Sequence, residues 1–523
     1  MKVKLPFPPF YIYYFGLLVM AVGMPVSIFL MSISYVIMAI GWLLTRNYWE
    51  RIRTFAKNKI AMVLSSLFIL HLIGLIYTDD LASGMNDVKI KLPLLLLPFM
   101  ISTMPKLNAV LLRWLLYIFC AAVFVGTIIG CFILMGYGKT KVVDVRQLSP
   151  FISHIRFSLM ISLAIFILAY FAKKDLSWKL NFVYFPVIAW FFIYLFILES
   201  LTGIIILFLA SGFMITYSIF TRRTIYLKLL YLLCLGGAGY FLYYSIEKRA
   251  SNFYVIHDTA DLHHLDSLSP HGHAYVHDPK NDDLQNGFYT SIYQCWEEMA
   301  PAWNRRSKIN FDTLDKKGNE MKYTLIRYLT SKGSRKDEDG VNALTDKDVA
   351  CIEMGIPDVR YSSMSKLEAR IDATIWEFHE YTKDKDPSGH SVAQRFEFWK
   401  AAIGIIKKHP VIGVGTGDAT LAFKEEYNSN GTKLDEKHRL RSHDQFLAIG
   451  VTFGIIGLLW FLFSLFYPLT LKLNRKNMLY MCFFLIAIFS MINEDTLETQ
   501  AGVTFFAFFN TVLLLGRAPE KKD

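Results

Sequence analysis

Three arginines, a histidine and a glycine-rich turn are the residues of this chain whose types and spacing could do chemistry. Arg395 stands one helical turn before Trp399 in SVAQRFEFWKAAIGIIKKHP, where Val392, Phe396, Trp399, Ile403 and Ile406 recur at helical intervals. Lys407, Lys408 and His409 suit the negative end of that helix, and Pro410 stops it. Gly413, Gly415 and Gly417 follow in GVGTGD, which ends in Asp418; glycines let neighbouring backbone N–H groups crowd together in a geometry that can hold an anion. Arg441 and His443 come next in RSHD, just before an apolar run long enough to cross a bilayer. Arg156 lies in SHIRFSL, where another apolar run starts; it could equally be an interfacial arginine snorkelling to lipid headgroups. Guanidinium groups grip phosphate oxygens bidentately and stay charged at any relevant pH. A histidine with a near-neutral pKa can accept a proton from a hydroxyl or orient it. Gathered at one membrane face, these groups suit a substrate that carries a diphosphate at headgroup level.

The rest of the chain must position them. Of its 523 residues, 54% are apolar and 15% aromatic, too much for a set of soluble domains. Apolar runs of spanning length are expected near 10–22, 25–44, 60–77, 88–102, 110–135, 152–172, 181–198, 201–220, 225–245, 445–471, 478–493 and 499–516. The fold class is therefore an all-α polytopic membrane protein of about twelve transmembrane helices. Gly450 and Gly454 have the small-xxx-small spacing that lets the tenth span pack closely on a neighbour. The net charge of +11 does not ask for nucleic acid, because the clustered Lys and Arg flank spans, as in RNYWERIRTFAKNK, KKDLSWK, TRRTIYLK, KLNRKN and GRAPEKKD. With both termini cytoplasmic, those segments lie inside, while TDDLASGMND and NEDTLETQ, which lack Lys and Arg, lie outside; the basic GYGKTKVVDVRQLSP is the one exception on the outer side.

Three regions are expected: membrane helices one to nine over 1–245, a large, mainly helical outer loop domain over 246–443 that carries Arg395 and the Gly413–Gly417 turn, and helices ten to twelve with a cytoplasmic tail over 444–523. Within the loop, EARIDATIWEFHEYTK reads as a helix and TLIRYLTSKG as strand or helix. Six histidines between His257 and His277 leave a metal site open, although no tight ligand spacing falls on one element. Cys295 and Cys351 could pair if the loop is extracytoplasmic. There is no phosphate-binding P-loop, no GxGxxG after a strand, no HExxH and no GxSxG, which argues against an ATP-driven pump. Ionisable residues in mid-span are few, which argues against a proton-coupled transporter.

The ordered set Arg395-x-x-x-Trp399-x-x-Ala402, His409-Pro410, Gly-Val-Gly-x-Gly, then His443-Asp444 opening a span with a Gly454-Ile-Ile-Gly457-Leu-Leu core, resembles the O-antigen ligase and O-antigen polymerase superfamily of bacterial envelope proteins. LTSKG…KDEDGV…IEMG and SMINEDTLETQAG look like the version found in Bacteroidetes. The resemblance implies a membrane glycosyltransferase of the GT-C type in the bacterial inner membrane, with the large loop periplasmic. It would move a glycan from undecaprenyl diphosphate onto the hydroxyl of a lipid A–core acceptor, inverting the anomeric carbon, with no cofactor and no metal. By position, Arg156, Arg395 and His443 would be catalytic: the two arginines on the diphosphate, the histidine on the acceptor. Trp399, Gly413, Gly415, Gly417, Asp418 and Arg441 would shape the substrate site. Membrane lipids are the other partners, and nucleic acid is not one. The polymerase, a protein O-oligosaccharyltransferase, and, from another class, a polysaccharide transporter or non-catalytic assembly partner stay open. The sequence departs from the family in two places. Glu199-Ser200-Leu201-Thr202-Gly203 lacks the turn arginine of many members, for which Arg441 or Arg146 could compensate, and Asp444 replaces the common Asn.

Overall fold

The computed structural model describes residues 8–137, 145–175, 177–220, 225–253, 255–258, 260–281, 283–362, 364, 366–383 and 386–518. The chain is an all-helical polytopic membrane protein; the only strands among the described residues are the antiparallel pair Leu284–Gln285 and Phe288–Tyr289. Among the described residues, seven helices are long and apolar enough to cross a membrane: Pro9–Val26, Ala109–Leu134, His154–Asp175, Trp178–Ile197, Leu201–Phe220, Lys228–Phe253 and Gln445–Thr470. An eighth is reached if Ile28–Leu44 and Tyr48–Lys57, bent by 115°, count as one span. Lys59–Gly74, Met478–Asn493 and Gln500–Gly516 are shorter apolar helices. Several begin on a side-chain cap: Ser27, Asn58, Asn108, Asp444, Asn477 and Thr499 each accept the N–H three residues on, at 2.8–3.4 Å. A first-turn N–H left bare in hydrocarbon is costly, so polar residues open otherwise apolar helices.

Two of the expected spans differ from the structure. The fourth span, expected at 88–102, is not one helix; the chain forms Leu81–Lys91 and Pro93–Thr103, eleven residues each, parted at Leu92 because Pro93 has no N–H to continue the ladder. In the tenth span, Gly454 is not a helix-packing position. It adopts φ +61° and breaks Gln445–Thr470, and the backbone of Val411 and Ile412 fills the space where a Cβ would stand. Backbone groups freed by the break are used at once: Ile455 N–H donates to Pro410 O at 2.9 Å, and Gly415 N–H donates to Thr452 O at 2.9 Å.

By internal packing the chain divides into two compact units, Met1–Arg223 with Gln394–Asp523, and Thr224–Ala393. Arg395 and the glycine turn, expected to travel with the loop domain, belong to the first unit. The reason is a satellite core of Phe398, Ala401, Ala402, Ile405, Phe423, Tyr427 and Val451, which joins helix Ser391–Lys408 to Ala419–Ser429 and the tenth span. Each large side chain buried there contributes roughly 1.5–3 kcal/mol.

The second unit has its own core of Met299, Trp303, Leu325, Tyr328, Leu329, Val341 and Ile352, on helices Trp296–Arg306, Met321–Ser331, Glu338–Asn342 and Asp346–Glu353. TLIRYLTSKG is thus helical as far as Ser331, and EARIDATIWEFHEYTK as far as Thr382. The histidines of 257–277 disperse to separate partners: His264 to Asp261, His271 to Asp339, His273 to Glu298, and His277 to Asp266 O and Tyr293 N. Cys295 and Cys351 are both free thiols.

Candidate functional site

Arg395, His443 and Arg156 are brought together, and what gathers them is a segment to which the sequence pattern assigns no chemistry. Between helices Met478–Asn493 and Gln500–Thr511, the chain turns through Glu494, Asp495, Thr496, Leu497 and Glu498. Glu494 is buried at 8% exposure. One of its oxygens lies 3.7 Å from the guanidinium of Arg395 and the other 3.8 Å from Nδ1 of His443. Asp495, half-buried, completes the cluster: atoms of His443, Glu494 and Asp495 lie within 4.8 Å of one another. Arg156 reaches the same place from the start of His154–Asp175. Its Nε is buried without a hydrogen-bond partner among the described residues, against Gly502, and its charge acts on Asp495.

His443 is set by its backbone. It takes φ +47°, a left-handed conformation that costs a non-glycine residue on the order of 1 kcal/mol. That kink frees Asp444 to cap the tenth span, with its carboxylate accepting Leu447 N–H at 2.8 Å. Asp444 is therefore a helix cap, and burial raises its pKa. The His443 ring packs 5.5 Å from Phe398, on the helix that carries Arg395. The Glu494 carboxylate raises the pKa of His443; desolvation and Arg395 oppose that shift, while Asp495 adds to it. Asp495 is itself pushed above the ordinary carboxylate range, first by burial and also by Glu498 and Glu494, with His443 and Arg156 pulling the other way.

The same segment is fastened below by Glu498. Lys91, fully buried, donates to it at 2.9 Å, Arg441 at 3.1 Å and Gln445 at 3.3 Å. Gln445 in turn accepts Leu497 N–H at 2.6 Å. Burial alone would raise the Glu498 pKa, but Lys91 and Arg441 hold it well below the usual range. Arg441 also donates to the Thr420 hydroxyl at 2.9 Å. Its guanidinium thus ties the acidic turn to helix Ala419–Ser429.

The glycine turn is a clasp. Val414 N–H donates to Val451 O, Gly415 N–H to Thr452 O, Thr416 N–H to Gly74 O and Gly417 N–H to the Thr78 hydroxyl, at 2.9–3.2 Å. An anion cradle needs those amides unspent. Asp418 is likewise used: its two oxygens accept Asp79 N–H and Asp80 N–H, each at 2.8 Å, which anchors the loop before Leu81–Lys91. Gly413, Gly415, Gly417 and Asp418 thus position the surrounding helices. Trp399 has its indole Nε1 buried with no hydrogen-bond partner among the described residues, on the helix of Arg395. The side chain of Arg146 lies outside the described residues.

Chemically, the cluster can bind an anionic group on two guanidiniums and pass a proton among an imidazole and two carboxylates. His443, Glu494 and Asp495 are close enough together to share a cation. Arg395 already stands against Glu494 as its positive partner, whereas Arg156 acts on Asp495 only through its charge, without an ion pair among the described residues. Residues 354–462 match the family model described as O-antigen ligase, a segment that includes Arg395, Trp399, the glycine turn, Arg441 and His443. The match supports the O-antigen ligase superfamily, in line with the resemblance read from the ordered motifs. No curated protein matches the chain.

Proposed function

We propose, from an O-antigen ligase domain whose arginine and histidine meet over one acidic turn, that this chain transfers a glycan from undecaprenyl diphosphate to an acceptor hydroxyl, with lipid A–core the preferred acceptor. The observation that carries the reading is the convergence of Arg395, Arg156 and His443 on Glu494 and Asp495. The acceptor oxygen attacks the anomeric carbon from the face opposite the diphosphate, the carbon–oxygen bond to the diphosphate breaks, and configuration inverts. Arg395 and Arg156 stabilise the charge that develops on the departing diphosphate, a role suited to fixed cations in a site shielded from water. The unpartnered Nε of Arg156 supports this, because it is a buried donor with capacity to spare. His443 orients or deprotonates the acceptor hydroxyl. The arginines do the work a divalent ion does elsewhere, so turnover survives chelators. We place the site at the periplasmic face of the inner membrane, with both termini cytoplasmic.

Deleting the gene and resolving surface glycolipids on a gel, with the lipid-linked pool probed in parallel, tests this reading. Bare core with long polymer stranded on the carrier is the expected result. Core carrying a single repeat would make the protein a polymerase. An unchanged glycolipid ladder would turn the reading towards a protein acceptor or a non-enzymatic role.

A further inference from the structure

The two carboxylates beside His443 are not equivalent. Glu494 is occupied, held between the Arg395 guanidinium and the His443 imidazole at 3.7 and 3.8 Å. Asp495 makes no side-chain hydrogen bond or ion pair among the described residues, yet one of its oxygens lies within 4.8 Å of ligand-type atoms on both neighbours. The next acid, Glu498, is bound by Lys91, Arg441 and Gln445. Of the three acids on this turn, only Asp495 is uncommitted.

We propose that Asp495 is the catalytic proton acceptor of the transfer, and that Glu494 is a positioning residue that ties His443 to Arg395. This rests on the reading of the chain as a glycan transferase. In the step, the acceptor oxygen forms its bond to the anomeric carbon, and the electron pair of the breaking bond leaves with the diphosphate onto Arg395 and Arg156. The hydroxyl proton passes to the Asp495 carboxylate and then to solvent. The surroundings of Asp495 suit a proton acceptor. His443, Glu494, Glu498 and Arg156 face it, and burial shifts its pKa upward, towards the range in which a carboxylate becomes an effective base. His443 is shifted upward as well, by the Glu494 carboxylate, which keeps it an imidazolium further into neutral pH. An imidazolium donates a hydrogen bond to an acceptor or phosphate oxygen and takes no proton. The geometry divides the roles: Asp495, without a partner among the described residues, takes the proton, and His443, held beside Glu494, donates.

The test uses the full-length protein in proteoliposomes, with a labelled undecaprenyl-diphosphate glycan as donor. Donor binding, kcat and kcat/KM are measured between pH 5 and 9 for the wild type, Asp495→Asn, Asp495→Glu and His443→Gln, with thermal melting of each. Asp495→Asn is expected to slow transfer by about a hundredfold or more while donor binding stays within about threefold, and Asp495→Glu to recover part of the rate. The acid limb of the wild-type profile is expected to lie above the ordinary aspartate value, in the direction that burial shifts Asp495, and to persist in His443→Gln. The assignment is overturned if Asp495→Asn keeps more than a tenth of the rate, or if donor binding falls in step with turnover. It is also overturned if the acid limb lies above the ordinary histidine value and disappears in His443→Gln, which makes His443 the base. A folded wild type that transfers nothing from the diphosphate carrier would instead remove the underlying reading.

Discussion

Glu494 and Glu498 sit four residues apart on one turn and meet the same kinds of partner, but on different terms. Glu498 takes its bonds short and direct, from Lys91 at 2.9 Å, Arg441 at 3.1 Å and Gln445 at 3.3 Å. Glu494 stands 3.7 and 3.8 Å from Arg395 and His443, longer contacts that leave both cations with donor capacity for a substrate oxygen. A buried charge whose bonds are all filled is scaffold, since removing one partner strands the others in low dielectric. Charges held near one another but under-satisfied are ready to accept a ligand. The turn therefore has a fixed end and a working end, and the fixed end sets the geometry of the other.

Substitutions can separate the two ends. Glu498→Ala strands the fully buried Lys91 and is expected to cost about 3–5 kcal/mol, read as a loss of thermal stability in detergent. Arg395→Ala should behave in the opposite way. Its ion pair is long and its side chain is 29% exposed, so melting barely moves, whereas transfer falls by roughly a hundred- to a thousandfold. If Arg395→Ala unfolds the protein, or Glu498→Ala melts like the wild type, the division between fixed and working ends is wrong. Gly454→Ala, at a left-handed position with no room for a Cβ, should cost about 1–3 kcal/mol by the same melting assay. The smallest effect is one of pH. Glu494→Gln removes the carboxylate that raises the His443 pKa, so the alkaline limb of kcat/KM, set by loss of the His443 proton, should move to lower pH. An unmoved limb would mean that Glu494 does not tune His443.

Periodicity and spacing make much of this legible. The polytopic helical class, the helix bearing Arg395 and Trp399, and the meeting of Arg395 with His443 follow from apolar runs and from polar residues placed where those runs begin. The acidic turn does not follow. NEDTLETQ serves in the sequence to orient the chain, as an outer loop without Lys or Arg, and as part of the resemblance, but its acids are given no role, although three within five residues between two short apolar helices ask for positive partners. Lys91 lies 407 residues from Glu498, and no local pattern joins such a pair. The glycine turn misleads because a crowd of amides looks the same in sequence whether its N–H groups face an anion or the backbone of neighbouring helices. The break at Gly454 is hidden inside an unbroken apolar run; hydrophobicity reports where a span lies and says little about whether its ladder is continuous.

The central claim is that Arg395 and His443 act on a lipid-diphosphate glycan from opposite edges of one carboxylate. The most direct measurement is transfer in proteoliposomes, from an undecaprenyl-diphosphate glycan to lipid A–core, by the wild type, Arg395→Ala and His443→Ala, each first shown to be inserted and to melt normally. The account predicts glycosylated lipid A–core from the wild type and almost none from either variant. Wild-type rates in both variants would contradict it.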